Sequence, residues 1–199
     1  PSRPPATWIR HTLRQLEANE GRYRRITPEA KRDWHKLLAY NRHDLLALRH
    51  IVLAATRELT LWRSYERTRF CVRDGPKRIC FMAGSQNRRL DALLTRHGAT
   101  RWAFITAWNP GSRPLSKSEN ARRHAELRAA VREAGLEALD GEGVGEDASW
   151  PSEQSLLILN ISRGKAISLG RRFGQLAIVV GRRGEASTLA ATSGISRVH

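Results

Sequence analysis

Sulfur is scarce in this chain: its 199 residues hold two cysteines and one methionine. Two cysteines exclude a disulfide-rich scaffold, and a chain of this length needs none. The expectation is a pair of packed, reduced thiols in a reducing compartment, because no third or fourth metal ligand lies near them in sequence. Long apolar runs are missing too, and none approaches the ~20 residues of a membrane span. The opening PSRPPATWIR has neither the apolar centre nor the cleavage pattern of a secretory leader. A cytoplasmic protein without a membrane partner is expected, and a start at Pro1 fits a trimmed initiator or a fragment. The sequence contains no G-x-S-x-G, H-E-x-x-H or C-x-x-C, no P-loop ending and no EF-hand spacing. Acidic residues are few, 19 against 35 lysines and arginines, for a net charge of +16.

What remains is globular in composition, 40% hydrophobic with six tryptophans. That suits one full core, or one domain with an appendage. The charge makes nucleic acid a candidate partner. The basic residues are scattered, however, and GC-rich coding alone would also produce an arginine excess.

Residues 1–60 read as a helical extension. Thr27 suits an N-cap, with Pro28 at the first helical position and Glu29 in the first turn. Leu45, Leu48, Val52 and Ala55 form an apolar stripe flanked by Arg42, Arg49 and Arg57. Residues 1–26 are expected to be loosely held apart from a short helix over Thr12 to Asn19. From Leu61 the pattern changes to alternating strands and helices, an α/β domain over 61–189. A hairpin turns at Asp74-Gly75-Pro76-Lys77 and places Val72 opposite Ile79, Cys71 opposite Cys80 and Phe70 opposite Phe81. A helix over Asn87 to Arg96 ends at Gly98, and Trp102 to Ile105 forms a strand buried on both faces. A helix capped by Ser116 ends at Gly135. Residues 136–150 suggest a strand fragment followed by the loop GEGVGEDASW. Then come a strand over Leu156 to Ile161, a helix over Gly164 to Phe173 behind Ser162, and a strand over Leu176 to Val180. The order ββαβα(β)βαβ predicts an α/β fold, with α+β as the alternative, in which helices pack on a mixed β-sheet. Small residues from Glu185 onward suggest fraying, and 190–199 are expected to form a frayed tail.

The segment WAFITAWNPGSRPLSKSEN, Trp102 to Asn120, runs from strand through polar crevice to helix, where open sheets collect ligands at strand ends. Asn120, His124, Leu127, Val131 and Ala134 share one helix stripe, so Asn120 and His124 are expected to point toward the sheet. Thr106 and Asn109 leave the neighbouring strand end, and the two asparagine amides are expected to converge there. They form either a hydrogen-bonded brace or a ligand crevice, together with Ser112. Glu153 is a general base if desolvated and otherwise an exposed acid before a strand. Gln175 presents its amide to a ligand or caps a turn. The loop from Gly141 to Asp147 mimics a phosphate cradle, but its carboxylates would repel phosphate. Tyr40 and Asp44 stand four apart on one helix face, a spacing that suits a metal-held carboxylate beside a water-orienting phenol.

Two resemblances enter at these residues. SYERTRFCV, ITAWNPGS, SEN, WPSEQSLLIL and RRFGQLAIV resemble the bacterial domain-of-unknown-function family 3293 over about residues 61–189. This resemblance implies a compact α/β domain and no particular activity. WHKLLAYNRHDLLALRHIV, within residues 27–58, is similar to the last helical motif of RNase H-like DEDD exonucleases. That similarity implies a metal ligand at Asp44 and a water-orienting role for Tyr40. The upstream acidic strands of such enzymes are missing here, so Mg2+ or Mn2+ is expected only if a longer parent chain completes the site, and this chain is not expected to cut nucleic acid. The leading expectation is an accessory or binding module linked to nucleic-acid processing. The alternatives are a small-molecule-binding protein or enzyme using the crevice around Asn109 and Asn120, and the C-terminal fragment of an RNase H-like exonuclease fusion.

Overall fold

A computed structural model describes residues 4–146 and 150–192, except for the side chain of Arg57. Expectations for residues 1–3, Arg57, Asp147 and 193–199 therefore lie outside the described residues. The chain divides into two compact units, Pro1–Thr60 and Leu61–His199.

In the first unit, α1 runs Pro5–Ala18 with proline at its first position, where a missing N–H costs nothing. Helix α2 runs Pro28–Arg67 and its last turns belong to the second unit. Thr27 starts α2, its Oγ1 accepting from the Ala30 amide at 3.3 Å. Helix α1 is longer than expected and is not loosely held. The buried Thr12 hydroxyl donates to the Ala30 carbonyl at 3.4 Å, and His11 Nδ1 lies 2.7 Å from the buried Asp33 carboxylate. Ile26, Ala30 and Leu37 supply the apolar contact. That pairing depends on contacts across a turn, which local composition does not reveal.

The second unit is one seven-stranded sheet: β1 (Arg69–Asp74), β2 (Lys77–Met82), β3 (Arg101–Thr106), β4 (Ala138–Val144), β5 (Glu153–Leu159), β6 (Ala177–Arg182) and β7 (Thr188–Ala191). Helices α3 (Arg88–Arg96), α4 (Lys117–Glu133) and α5 (Arg163–Arg172) complete it. The spatial order is β2-β1-β4-β5-β3-β6-β7, and every pairing is antiparallel. Helices packed on a sheet are as expected, but the sheet is not mixed, which makes the architecture the α+β form. The reason is topological. Helices join β2 to β3, β3 to β4 and β5 to β6; each joined pair runs alike, with three strands between β2 and β3 and one between the members of each other pair.

Alternation along β3 produces two cores. Trp102 and Phe104 pack with Phe70, Phe81 and Leu157 beneath α3, with Trp62 and Tyr65 of α2 against them. Ala103 and Ile105 pack with Leu156, Ile158 and Val180 beneath Leu127 and Val131 of α4 and Phe173 after α5. Ser116 and Ser162 cap α4 and α5 as their positions suggest, and Asn87 caps α3. Ala134, expected on the α4 stripe, is instead an exposed C-cap.

Three expectations change. The glycine-rich residues Gly141 to Val144 continue β4 rather than forming a loop, because Gly141 has no side chain to obstruct Phe104 and β1. Strand β7 replaces the start of the frayed tail, and its Leu189 and Ala190 are buried by pairing with β6. The hairpin register is as read, but Cys71 and Cys80 are bonded as a disulfide, their Cα atoms 4.0 Å apart. Directly opposed positions on neighbouring strands bring the sulfur atoms into reach. The cysteines therefore give no argument for a reducing compartment. Among the described residues, no helix is long and apolar enough to cross a membrane.

Candidate functional site

Strand β3 ends at Thr106, and the next six residues form a tight loop held from several directions. Asn109, Gly111 and Ser112 all have left-handed backbones, with φ of 46°, 62° and 55°. Such conformations cost free energy outside glycine and persist where the surroundings fix them. Here the fixing bonds are explicit. Thr106 Oγ1 donates to the Gln154 carbonyl at 2.8 Å and accepts from the Trp108 amide at 3.0 Å. Arg123 Nε and Nη2 donate to the carbonyls of Ala107 and Phe173 at 2.9 and 2.6 Å. Gln175 Nε2 donates to the Trp108 carbonyl at 2.8 Å, while Thr192 donates to the Gln175 backbone carbonyl. The Gly111 amide donates to the Gly174 carbonyl at 2.8 Å.

At the centre, the two asparagines meet as expected. The Asn109 amide donates to Asn120 Oδ1 and Asn120 Nδ2 donates to Asn109 Oδ1, both at 2.9 Å. Asn109 Oδ1 also accepts from the Leu115 amide at 2.9 Å. Asn109 Nδ2 donates to Glu153 Oε1 at 2.7 Å. The Trp150 indole N–H reaches the same oxygen at 3.1 Å. Glu153 is therefore a β5 residue rather than an exposed acid ahead of the strand. Burial pushes its carboxyl pKa up, and the two donors only partly oppose that.

Tyr65, near the end of α2, completes the group. Its hydroxyl lies 2.9 Å from Ser112 Oγ, and its pKa is raised by burial and by the nearby Glu153 charge. A half-buried carboxyl, a phenol and a serine hydroxyl thus lie close to one another around this loop, a set able to bind hydrogen-bonding ligands and to exchange a proton. Sequence reasoning missed Tyr65, Trp150 and Arg123. Arg123 is three residues from Asn120, a spacing that puts it beside the same helix face. Tyr65 carries no such signal, since its partner is 47 residues away.

His124 is buried as expected but stands apart from this network. Its Nδ1 has no hydrogen-bond partner among the described residues, and neither does Trp108 Nε1. Burial first, then the Arg128 charge, lowers its pKa, with Asp140 opposing. A depressed histidine contributes stability above its unfolded value of ~6.5 that is lost as pH falls through its folded value. In His124→Leu, thermal midpoints followed from about pH 7 to about pH 5 are expected to fall less than in the parent. Parallel curves would show that His124 is not the group responsible.

Tyr40 and Asp44 both stand exposed on α2. No group of three or more His, Cys, Asp or Glu able to hold a metal ion occurs among the described residues. The exonuclease resemblance finds no support in the comparisons with known proteins. No curated protein and no solved structure matches the chain. Residues 105–178, from β3 to β6 and including all seven sequence-predicted crevice residues (Thr106, Asn109, Ser112, Asn120, His124, Glu153 and Gln175), match the model of a family described as protein of unknown function (DUF3293), so that this stretch is similar to that family.

Proposed function

We propose that the second unit is a small-molecule-binding domain whose ligand seats against Glu153, Asn109 and the Tyr65–Ser112 hydroxyl pair. The observation that carries this reading is the Glu153 carboxyl. It is held by two neutral donors, raised in pKa, and bonded to the first residue of a loop segment with three left-handed residues in four. The asparagine pair with Thr106, Arg123 and Gln175 already braces the loop without Glu153, and strained backbone concentrates where geometry serves binding. With a carboxylate and hydroxyls, and no cation bonded to Glu153 among the described residues, the site suits a polar ligand rich in N–H or O–H donors, such as an amine, amide or polyol. When Glu153 is protonated it gives a proton to such a ligand; when ionised it takes one.

The test is ligand-observed NMR with a fragment set of amines, amides and polyols on the parent chain and on Glu153→Gln. Glutamine keeps the oxygen that Asn109 and Trp150 donate to, so the fold is expected to hold. Donor-rich fragments are expected to bind the parent and to lose at least about tenfold in affinity on the variant, about 1.4 kcal/mol. Their protection is expected to change with pH across the Glu153 transition in the parent alone. Binding that Glu153→Gln leaves unchanged would overturn the reading.

The +16 charge favours a second reading, contact with nucleic acid in a processing assembly. Its mark is affinity for a labelled single strand that falls steeply with salt, since phosphate contacts release counterions. Glu153→Gln would not disturb that binding, so the two readings separate in the same pair of proteins.

A further inference from the structure

We propose that α2 joins two copies of this chain as a parallel, in-register coiled coil over residues 38–59. From Leu38 to Thr60 every residue of α2 whose side chain is described is exposed. Within that stretch Leu45, Leu48, Val52 and Leu59 are 66%, 57%, 53% and 62% exposed, which is unusual for side chains that normally seek a core. Their spacing is the decisive point. Leu38, Leu45, Val52 and Leu59 recur every seven residues, and Asn41, Leu48 and Ala55 fall between them at the alternate three- and four-residue steps. A 3.5-residue repeat is the pattern of a two-helix seam, not of a helix lying on a sheet.

The flanking charges select both the partner and its direction. In a parallel pair, a residue just before one seam layer faces the residue five positions later on the other helix. That offset sets Asp44 against Arg49 of the second copy, twice by symmetry. An antiparallel pairing that brings Asp44 toward Glu58 would also bring Arg49 toward its own copy, like against like. The chain is therefore complementary to itself in one orientation. Asn41 within the apolar seam adds register selection, since any shift would bury its amide against leucine. Leu38, Leu45, Leu48, Ile51, Val52 and Leu59 are 46–66% exposed, and covering them completely on both chains would bury at most about 1,200 Å², the lower end of specific interfaces.

Sedimentation equilibrium of the 199-residue chain from micromolar to about 100 μM is expected to show a dimer of the 22.5 kDa chain. Leu45→Glu with Leu48→Glu is expected to weaken the dimer at least about 100-fold while leaving the thermal transition of the sheet unit in place. Asp44→Arg alone is expected to weaken association, and adding Arg49→Asp to restore it. Leu45→Cys is expected to cross-link two copies under mild oxidation, because only a parallel register sets that position against itself. A monomer at 100 μM would overturn the proposal and leave the face to a segment outside this chain or to another protein. Strengthening by Asp44→Arg, or failure of the Leu45→Cys link, would overturn the parallel register.

Discussion

Asn120→Ala is expected to lower the unfolding free energy by roughly 2–3 kcal/mol, the upper part of the range for stranding buried polar groups. Asn120 is 2% exposed and Asn109 is 6% exposed, so neither recruits water easily when its partner disappears. The substitution removes the acceptor of the Asn109 amide and a donor to Asn109 Oδ1. It also removes the weaker bond to the Leu115 carbonyl at 3.3 Å. Asn109 would be left in a left-handed conformation with less to hold it there. For a chain of this size the thermal midpoint should fall by about 4–12 °C. Asn109→Gly is the informative companion, because glycine meets the backbone requirement and loses only the side-chain bonds. If Asn120→Ala melted with the parent, the asparagine pair would not be what fixes the loop.

Gly141→Ala is expected to cost about 3 kcal/mol or more, at or above the usual range for overpacking. A methyl group there would stand 2.7 Å from the Cys71 carbonyl and 2.7–2.8 Å from the Phe104 ring. The ring cannot step aside, since it sits among Phe70 and Phe81 with centroids 5.4 and 5.7 Å away. The carbonyl belongs to β1, which pairs with β4 at this point and with β2 on its other side. Chemical denaturation read by tryptophan fluorescence gives the loss directly. Phe104→Leu in the same chain is expected to recover only part of it, because the carbonyl clash remains. Full recovery, or no loss at all, would show that β1 and β4 are not so closely apposed at Gly141.

The parts of this molecule legible in its sequence are those written in local chemistry. Ser116 with Glu119, and Pro28 behind Thr27, mark helix starts through bonds a few residues long, and the structure has both. Asn109 and Asn120 were placed together because a strand end and a helix start joined by a short loop must lie close. What escaped was set by partners distant in the chain. Gly141 reads as a loop residue until Phe104 occupies the space its side chain would need. Leu189 looks like part of a fraying segment of small residues until β6 lies beside it. The antiparallel order follows from which hairpin inserts between which strands, and no periodicity records that. Tyr65 reaches the crevice only because the last turn of α2 packs on the aromatic core.

The outermost positions of the sheet carry a final consequence. At one margin β2 presents Lys77 and Arg78, both exposed, and is tied to its inner neighbour by the Cys71–Cys80 bond. At the other, β7 is four residues long. Unprotected margins invite other chains to dock strand by strand into fibrils, and charge, brevity and cross-linking each discourage that growth. The sheet should therefore resist seeding amyloid even at high concentration, and reducing the sulfur bridge would weaken the guard at the basic margin alone.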